Sequence, residues 1–273
     1  MAIYLSSVRT SRDIKGPFET HLNYIKCLER LLAGAVITVS QSGTNQKKEV
    51  EIKKFRKLAD VTFRSIKKDI ELAREDAAFA SIAAPWFPVK CYYALYYLES
   101  VLCHLVDGST EGFGKGGHAG IRKRIAALVS SKNIVLPTSL NRAIPLSEIE
   151  TYHNISPGMN TRSTFWKEDL CIESLSKKLL EYKLADAKIV EKWNLHTEQG
   201  RQNKRNYISS KTLMLLDFFL WYRLKANYKD IDYIDFEKGV TEAEALEYLE
   251  SYYKAFSHYY DALFKQINLL IPT

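Results

Sequence analysis

Cysteine is scarce: four residues in 273, Cys27, Cys91, Cys103 and Cys171, with no Cys-x-x-Cys spacing. Each lies in apolar surroundings, so they read as reduced core thiols, and a zinc site or a disulfide frame is set aside. Long apolar runs are missing too. None reaches the roughly 18 residues needed to cross a bilayer, and the N-terminal MAIYLSSVRTSRDIKGPF carries charge where a secretory signal has its apolar stretch. Neither membrane spanning nor secretion is expected, the predicted location is cytoplasmic, and the sequon at Asn154 has no role there. The six histidines are scattered too widely for a metal box, and no Ser/His/Asp or Cys/His arrangement has a local signature. No metal and no cofactor are expected. Strand-turn-strand series and tandem repeats are absent as well, which excludes the common all-β and solenoid classes.

What is present is helical periodicity. A length of 273 residues allows one large domain or two small ones, and 46% apolar with 26% charged residues is ordinary globular composition. Ile52, Phe55, Ala59, Thr62, Ile66, Ile70 and Ala73 recur every three or four residues, predicting a long amphipathic helix from Lys48 to Ala73. Leu22, Ile25, Leu28, Leu32 and Val36 predict an earlier helix beginning after Pro17, closed by the loop-like SQSGTNQKK. After a break bracketed by Pro85 and Pro88, residues 90–106 are apolar on two faces, as in a central helix. Tyr92, Tyr93, Tyr96 and Tyr97 lie on it and read as core rather than as a base-stacking platform; His104 reads as a satisfied core histidine. Between Asn133 and Gly200 the pattern weakens, and only Leu175 to Trp193 predicts a sustained helix. Periodicity resumes at Ser209 with Leu213, Leu216, Leu220 and Leu224. Thr241 and Glu244 then form a capping box ahead of a helix whose face runs from Leu246 to Ile267.

Six of the twelve glycines fall in residues 108–120, which predicts a flexible connection. Gly112, Gly114 and Gly117 match G-x-G-x-x-G, but a helix rather than a strand feeds the loop, so the match is accidental. Charge is uneven around the net +7. Residues 111–143 carry six basic residues against one acidic, 196–229 seven against two, and 230–273 three against nine. Two basic stretches suit phosphate neutralisation; an ordinary solvated face is the plainer reading. His118 precedes Arg122, Lys123 and Arg124, and on a helix starting near Ala119 the imidazole and Arg122 share a face that would hold a phosphate, with His118 moving a proton near neutral pH.

Two segments together resemble the HEPN superfamily of small helical bundles. CYYALYYLESVLCHLVDG followed by GHAGIRKRIAALV is similar to that family's Tyr-Tyr-Ala helix and His-x-Gly segment. YRLKANYKDIDYIDFEKGVTEAEALEYLESYYKAFSHYYDALFKQI is similar to its Arg-x-x-Ala-Asp/Asn-Tyr segment and last helix. The resemblance covers about half the chain. It implies an all-α antiparallel bundle formed by residues 48–130 and 206–273, with an N-terminal helical extension at 1–47 and an inserted region at 131–205. It further implies a prokaryotic defence or toxin-antitoxin role, RNA or another nucleic acid as partner, and pairing as a homodimer or with a neighbouring gene product.

The family's ribonucleases need no metal and use an Arg-x4-6-His motif across the dimer interface. Here Arg223 is followed at the fifth position by Tyr228, the pattern of a branch regarded as less active. A tyrosine near pKa 10 is a poor general base. The leading expectation is therefore binding of RNA or a partner protein through a basic surface that includes Arg122, Lys123, Arg124, Asn227 and Tyr228. The alternatives are an endoribonuclease in which Arg223, Asn227 and His118 cooperate, and an oligomeric scaffold. Arg223 itself either grips a phosphate or pairs with an acidic residue of the last helix.

Overall fold

A computed structural model describes residues 15–39, 48–114, 116–137, 140–141, 143–152, 168–226 and 240–271. The fold is all-α. Helices α1 (Lys15–Leu32), α2 (Glu49–Glu75), α3 (Ala77–Ala83), α4 (Phe87–Asp107) and α5 (Gly117–Ser130) come first. A two-residue strand β1 (Ile144–Pro145) then leads into α6 (Leu146–Glu150), α7 (Glu168–Val190), α8 (Glu198–Ser210), strand β2 (Thr212–Leu213), α9 (Asp217–Leu224) and α10 (Glu242–Leu270).

Helix α4 is the axis. Leu98, Val101, Leu102 and Leu105 are fully buried or nearly so, and α4 packs against α2, α5, α9 and α10. Its two apolar faces thereby meet helices from both halves of the sequence. On α2 the predicted stripe is the buried one, Ile52, Ala59, Ile66, Ile70 and Ala73. The capping box at α10 is present, Thr241 Oγ1 accepting from the Glu244 amide while Glu244 accepts from the Thr241 amide. Aromatic rings tie α10 down: Tyr260 stacks on Phe63 of α2 at 4.2 Å, and Tyr248 lies 6.2 Å from Phe18 of α1.

Three local expectations need correction. The first helix includes Pro17 and stops at Leu32, leaving Val36 68% exposed beyond it. It packs directly against α10 and contributes Phe18, Ile25, Leu28 and Leu32 to the same core as the rest of the chain. The leucine run after Ser209 is not one helix. Lys211 is extended, Thr212–Leu213 pair antiparallel with Ile144–Pro145, and Leu213, Met214, Leu215 and Leu216 are all buried, so no solvated face exists for a helix to expose. Helix α8 had no apolar stripe to announce it, since it buries only Gly200 and Ile208. Thr197 starts it by capping the Gly200 amide.

The glycine-rich connection is packed rather than loose along its described part. Gly112 has φ +87, and a Cβ there would stand 2.4 Å from Ser100 Oγ and 2.8 Å from Ile121. Its carbonyl accepts from Tyr96 Oη, and Phe113 meets Phe55 edge-on at 4.8 Å. His104 is a satisfied core histidine, its Nδ1 3.1 Å from the Ser109 carbonyl. No helix among the described residues is long and apolar enough to cross a membrane.

Candidate functional site

Helices α4, α5 and α9 bring together two residues 105 positions apart in sequence, His118 and Arg223. Tyr92 and Tyr93 on α4 mediate the meeting. The His118 ring, at the start of α5, lies 5.3 Å from Tyr92, 5.5 Å from Tyr93 and 4.5 Å from Tyr96, with Nδ1 3.0 Å from Tyr92 Oη. The Arg223 guanidinium, in the last turn of α9, stands 5.5 Å over Tyr92 and 5.3 Å over Tyr93 and donates from Nη2 to Tyr93 Oη at 3.0 Å. Ring faces stabilise a desolvated cation by about 2 kcal/mol.

Arg223 is only 9% exposed, its Nε has no hydrogen-bond partner, and no carboxylate of the described residues pairs with it. The expected partner on α10 is not there. A buried cation without a counter-charge is costly, and an incoming anion offsets that cost. His118 responds to the same environment: burial first, then the positive charge of Arg223, lowers its pKa below the ordinary histidine value. At pH 7 it is a neutral imidazole. With Nδ1 donating to Tyr92 Oη, Nε2 carries the lone pair of a general base, and the imidazolium formed when it takes a proton is the matching general acid. Burial pushes the Tyr92 hydroxyl up, so it stays protonated and its oxygen can accept from Nδ1.

The basic trio of α5 separates into three roles. Arg122 is buried: Nε donates to Asp217 at 2.9 Å and Nη1 to Glu99 at 2.7 Å, while Tyr259 Oη also donates to Glu99. Burial opposes its charge, but the two carboxylates outweigh that and hold it charged. It therefore belongs to a core network, with two carboxylates standing where a phosphate was expected to bind. Arg124 pairs with Asp107. Lys123 is exposed, with no ion-pair partner among the described residues. Asn227 and Tyr228 lie outside the described residues.

Beside this cluster is a cleft of about 710 Å³ between α5, α7, the α8–β2 segment and α9. Ala119, next to His118, and Leu224, next to Arg223, line it. So do Lys123 and Lys211, one from each basic stretch. Sequence reading missed both the cleft and the holding role of the tyrosines. The available signal was Tyr92/Tyr96 and Tyr93/Tyr97 at i,i+4 on an otherwise apolar helix, a row of polar tips that a pure core does not need. No group of three or more metal-ligating side chains stands together among the described residues. No family model, curated protein or solved structure matches this chain.

Proposed function

We propose that the protein is a HEPN-like component of a prokaryotic defence or toxin-antitoxin type system that binds RNA, and that it cleaves RNA without a metal at the Arg223–His118 cluster. The observation that carries this reading is the buried Arg223 guanidinium with no carboxylate partner beside a neutral imidazole. Arg223 takes the non-bridging oxygens of one phosphate and offsets the charge that grows on them in the pentacoordinate transition state. The 2′-oxygen attacks phosphorus as His118 Nε2 accepts the 2′-hydroxyl proton, the bond to the 5′-oxygen breaks, and the imidazolium so formed returns that proton to the departing 5′-oxygen. The products are a 2′,3′-cyclic phosphate and a 5′-hydroxyl.

Single-stranded RNA incubated with purified protein in a chelator tests this. Cleavage is expected, with His118→Ala costing about 10²-fold or more in rate at nearly unchanged binding, and Arg223→Ala impairing both. No cleavage by the parent protein would reduce the reading to binding alone. RNA affinity indifferent to Arg223→Ala and to salt would remove the phosphate site and favour a scaffold. Pairing as a homodimer or with a neighbouring gene product belongs to the same proposal. Sedimentation as a monomer at tens of micromolar, alone and with those products, would reject it.

A further inference from the structure

The cleft beside the Arg223–His118 cluster holds aromatic and charged side chains that the cleavage step does not involve. Tyr182 of α7 and Tyr207 of α8 are half-buried aromatic residues on its walls, and Trp193 braces Tyr207 edge-on at 5.2 Å. Asp186 follows Tyr182 by one helical turn and is exposed. Asp186, Tyr182 and Tyr207 line the same cleft; burial and then the Asp186 charge push the Tyr182 hydroxyl up to about 12, and the same two causes raise Tyr207. Lys123, Lys211 and Asp186 have no ion-pair partners among the described residues, whereas Lys183 is engaged by the Thr212 carbonyl at 3.0 Å and lies 3.9 Å from Asp217. Lys211 sits 5.8 Å over the Tyr207 ring. Leu224, next to Arg223, and Ala119, next to His118, line the same cleft, and the positive charge of Arg223 acts on Tyr182.

Flat aromatic walls call for a flat, polarisable group. A carboxylate in the same cleft without an ion-pair partner among the described residues calls for two parallel N–H donors, and lysines at the rim call for phosphate. An unstacked nucleobase on a sugar-phosphate chain supplies all three, and guanine alone among the common bases offers adjacent ring and amino N–H donors. We propose that this cleft binds one unstacked base of single-stranded RNA, guanine in preference, immediately beside the phosphate gripped by Arg223, with Lys123 and Lys211 on the flanking backbone. The base site rests on the reading of Arg223 as a phosphate site, and it adds substrate choice to that reading: single strands over duplexes, and cleavage next to guanine.

Fluorescence anisotropy with labelled single-stranded oligomers tests it, using a uridine-rich oligomer with one central guanosine, the same oligomer with adenosine or an abasic nucleotide there, and the guanosine oligomer annealed to its complement. The guanosine oligomer should bind best. Tyr207→Ala should weaken it about 5- to 100-fold, the range for losing one base stack, and leave the abasic oligomer unaffected. Tyr207→Phe should restore binding, and Asp186→Asn should erase the preference for guanosine over adenosine. Lys211→Ala, on an exposed extended residue, should lower the salt dependence by about one phosphate contact. Arg223→Ala should weaken the guanosine and abasic oligomers alike. Loss on Arg223→Ala with no effect of Tyr207→Ala or Asp186→Asn would overturn the base site and leave the phosphate site standing. The reverse pattern would retain the base site and overturn its coupling to Arg223. Equal affinity for duplex and single strand would overturn the inference outright. Thermal unfolding of each variant separates lost contacts from lost fold.

Discussion

Replacing Arg122 by alanine should unfold a large fraction of this protein's stability while leaving no trace on an exposed surface. The side chain donates to Glu99 and Asp217, and the two acceptors differ in what its loss costs. Asp217 is partly exposed, 3.9 Å from Lys183, and in the first turn of α9, where the helix dipole favours a carboxylate. Glu99 is 1% exposed and would retain only the Tyr259 hydroxyl as donor. Breaking a buried ion pair from one side costs about 3–5 kcal/mol, most of it here from stranding Glu99. Domains are stable by about 5–15 kcal/mol, so Arg122→Ala forfeits a third or more of a typical total. Urea unfolding followed by circular dichroism measures this as a lower midpoint at unchanged slope. Lys123→Ala, one residue on, should stay within about 0.5 kcal/mol. Replacing the pair together, Glu99→Leu with Arg122→Met, should cost less than the sum of the singles by about 2 kcal/mol or more. A loss under about 1 kcal/mol for Arg122→Ala, or strict additivity in the cycle, would refute the network. It follows that removing Arg122, Lys123 and Arg124 together cannot report on RNA contact, since the variant loses its core first.

Gly112→Ala should destabilise by about 2 kcal/mol or more, because φ +87 is strained for any side chain and the added methyl meets Ser100 and Ile121; a neutral effect on the urea midpoint would refute the close approach. Thr241→Ala should cost about 1 kcal/mol through loss of the α10 cap, and a change below about 0.3 kcal/mol would show the capping box to be idle. Stability should also fall as pH drops below about 6.5. Burial first and nearby lysines second lower the pKa of His21, burial and Arg223 lower that of His118, and the unfolded chain therefore binds protons that the folded one refuses. Urea midpoints at pH 7.5 and 5.5 check this. His21→Gln should shrink the difference, and an unchanged difference would reject the buried neutral His21.

The all-α class, the α2 stripe, the central character of α4 and the α10 cap were readable from the sequence because each is a local property: spacing at a 3.6-residue period, or a Thr and a Glu three positions apart. Local spacing also put His118 and Arg122 on one face, which was read as open to a phosphate, and there it could not foresee the partners of Arg122. Helical periodicity fixes which side chains share a direction but says nothing about what waits there. Tertiary packing put Glu99 from α4 and Asp217 from α9 against Arg122, taking it out of the basic surface, and put Tyr92 and Tyr93 between His118 and Arg223, making one cluster of residues that spacing could not relate. Likewise, Lys123 and Lys211 belong to separate basic stretches in sequence and line one cleft only because α5 and the α8–β2 segment face each other across α7 and α9. Propensity and pattern act over a few residues and suffice to choose helices; the pairing of charges and the shape of a cleft depend on which helices meet, which only burial of the whole chain decides.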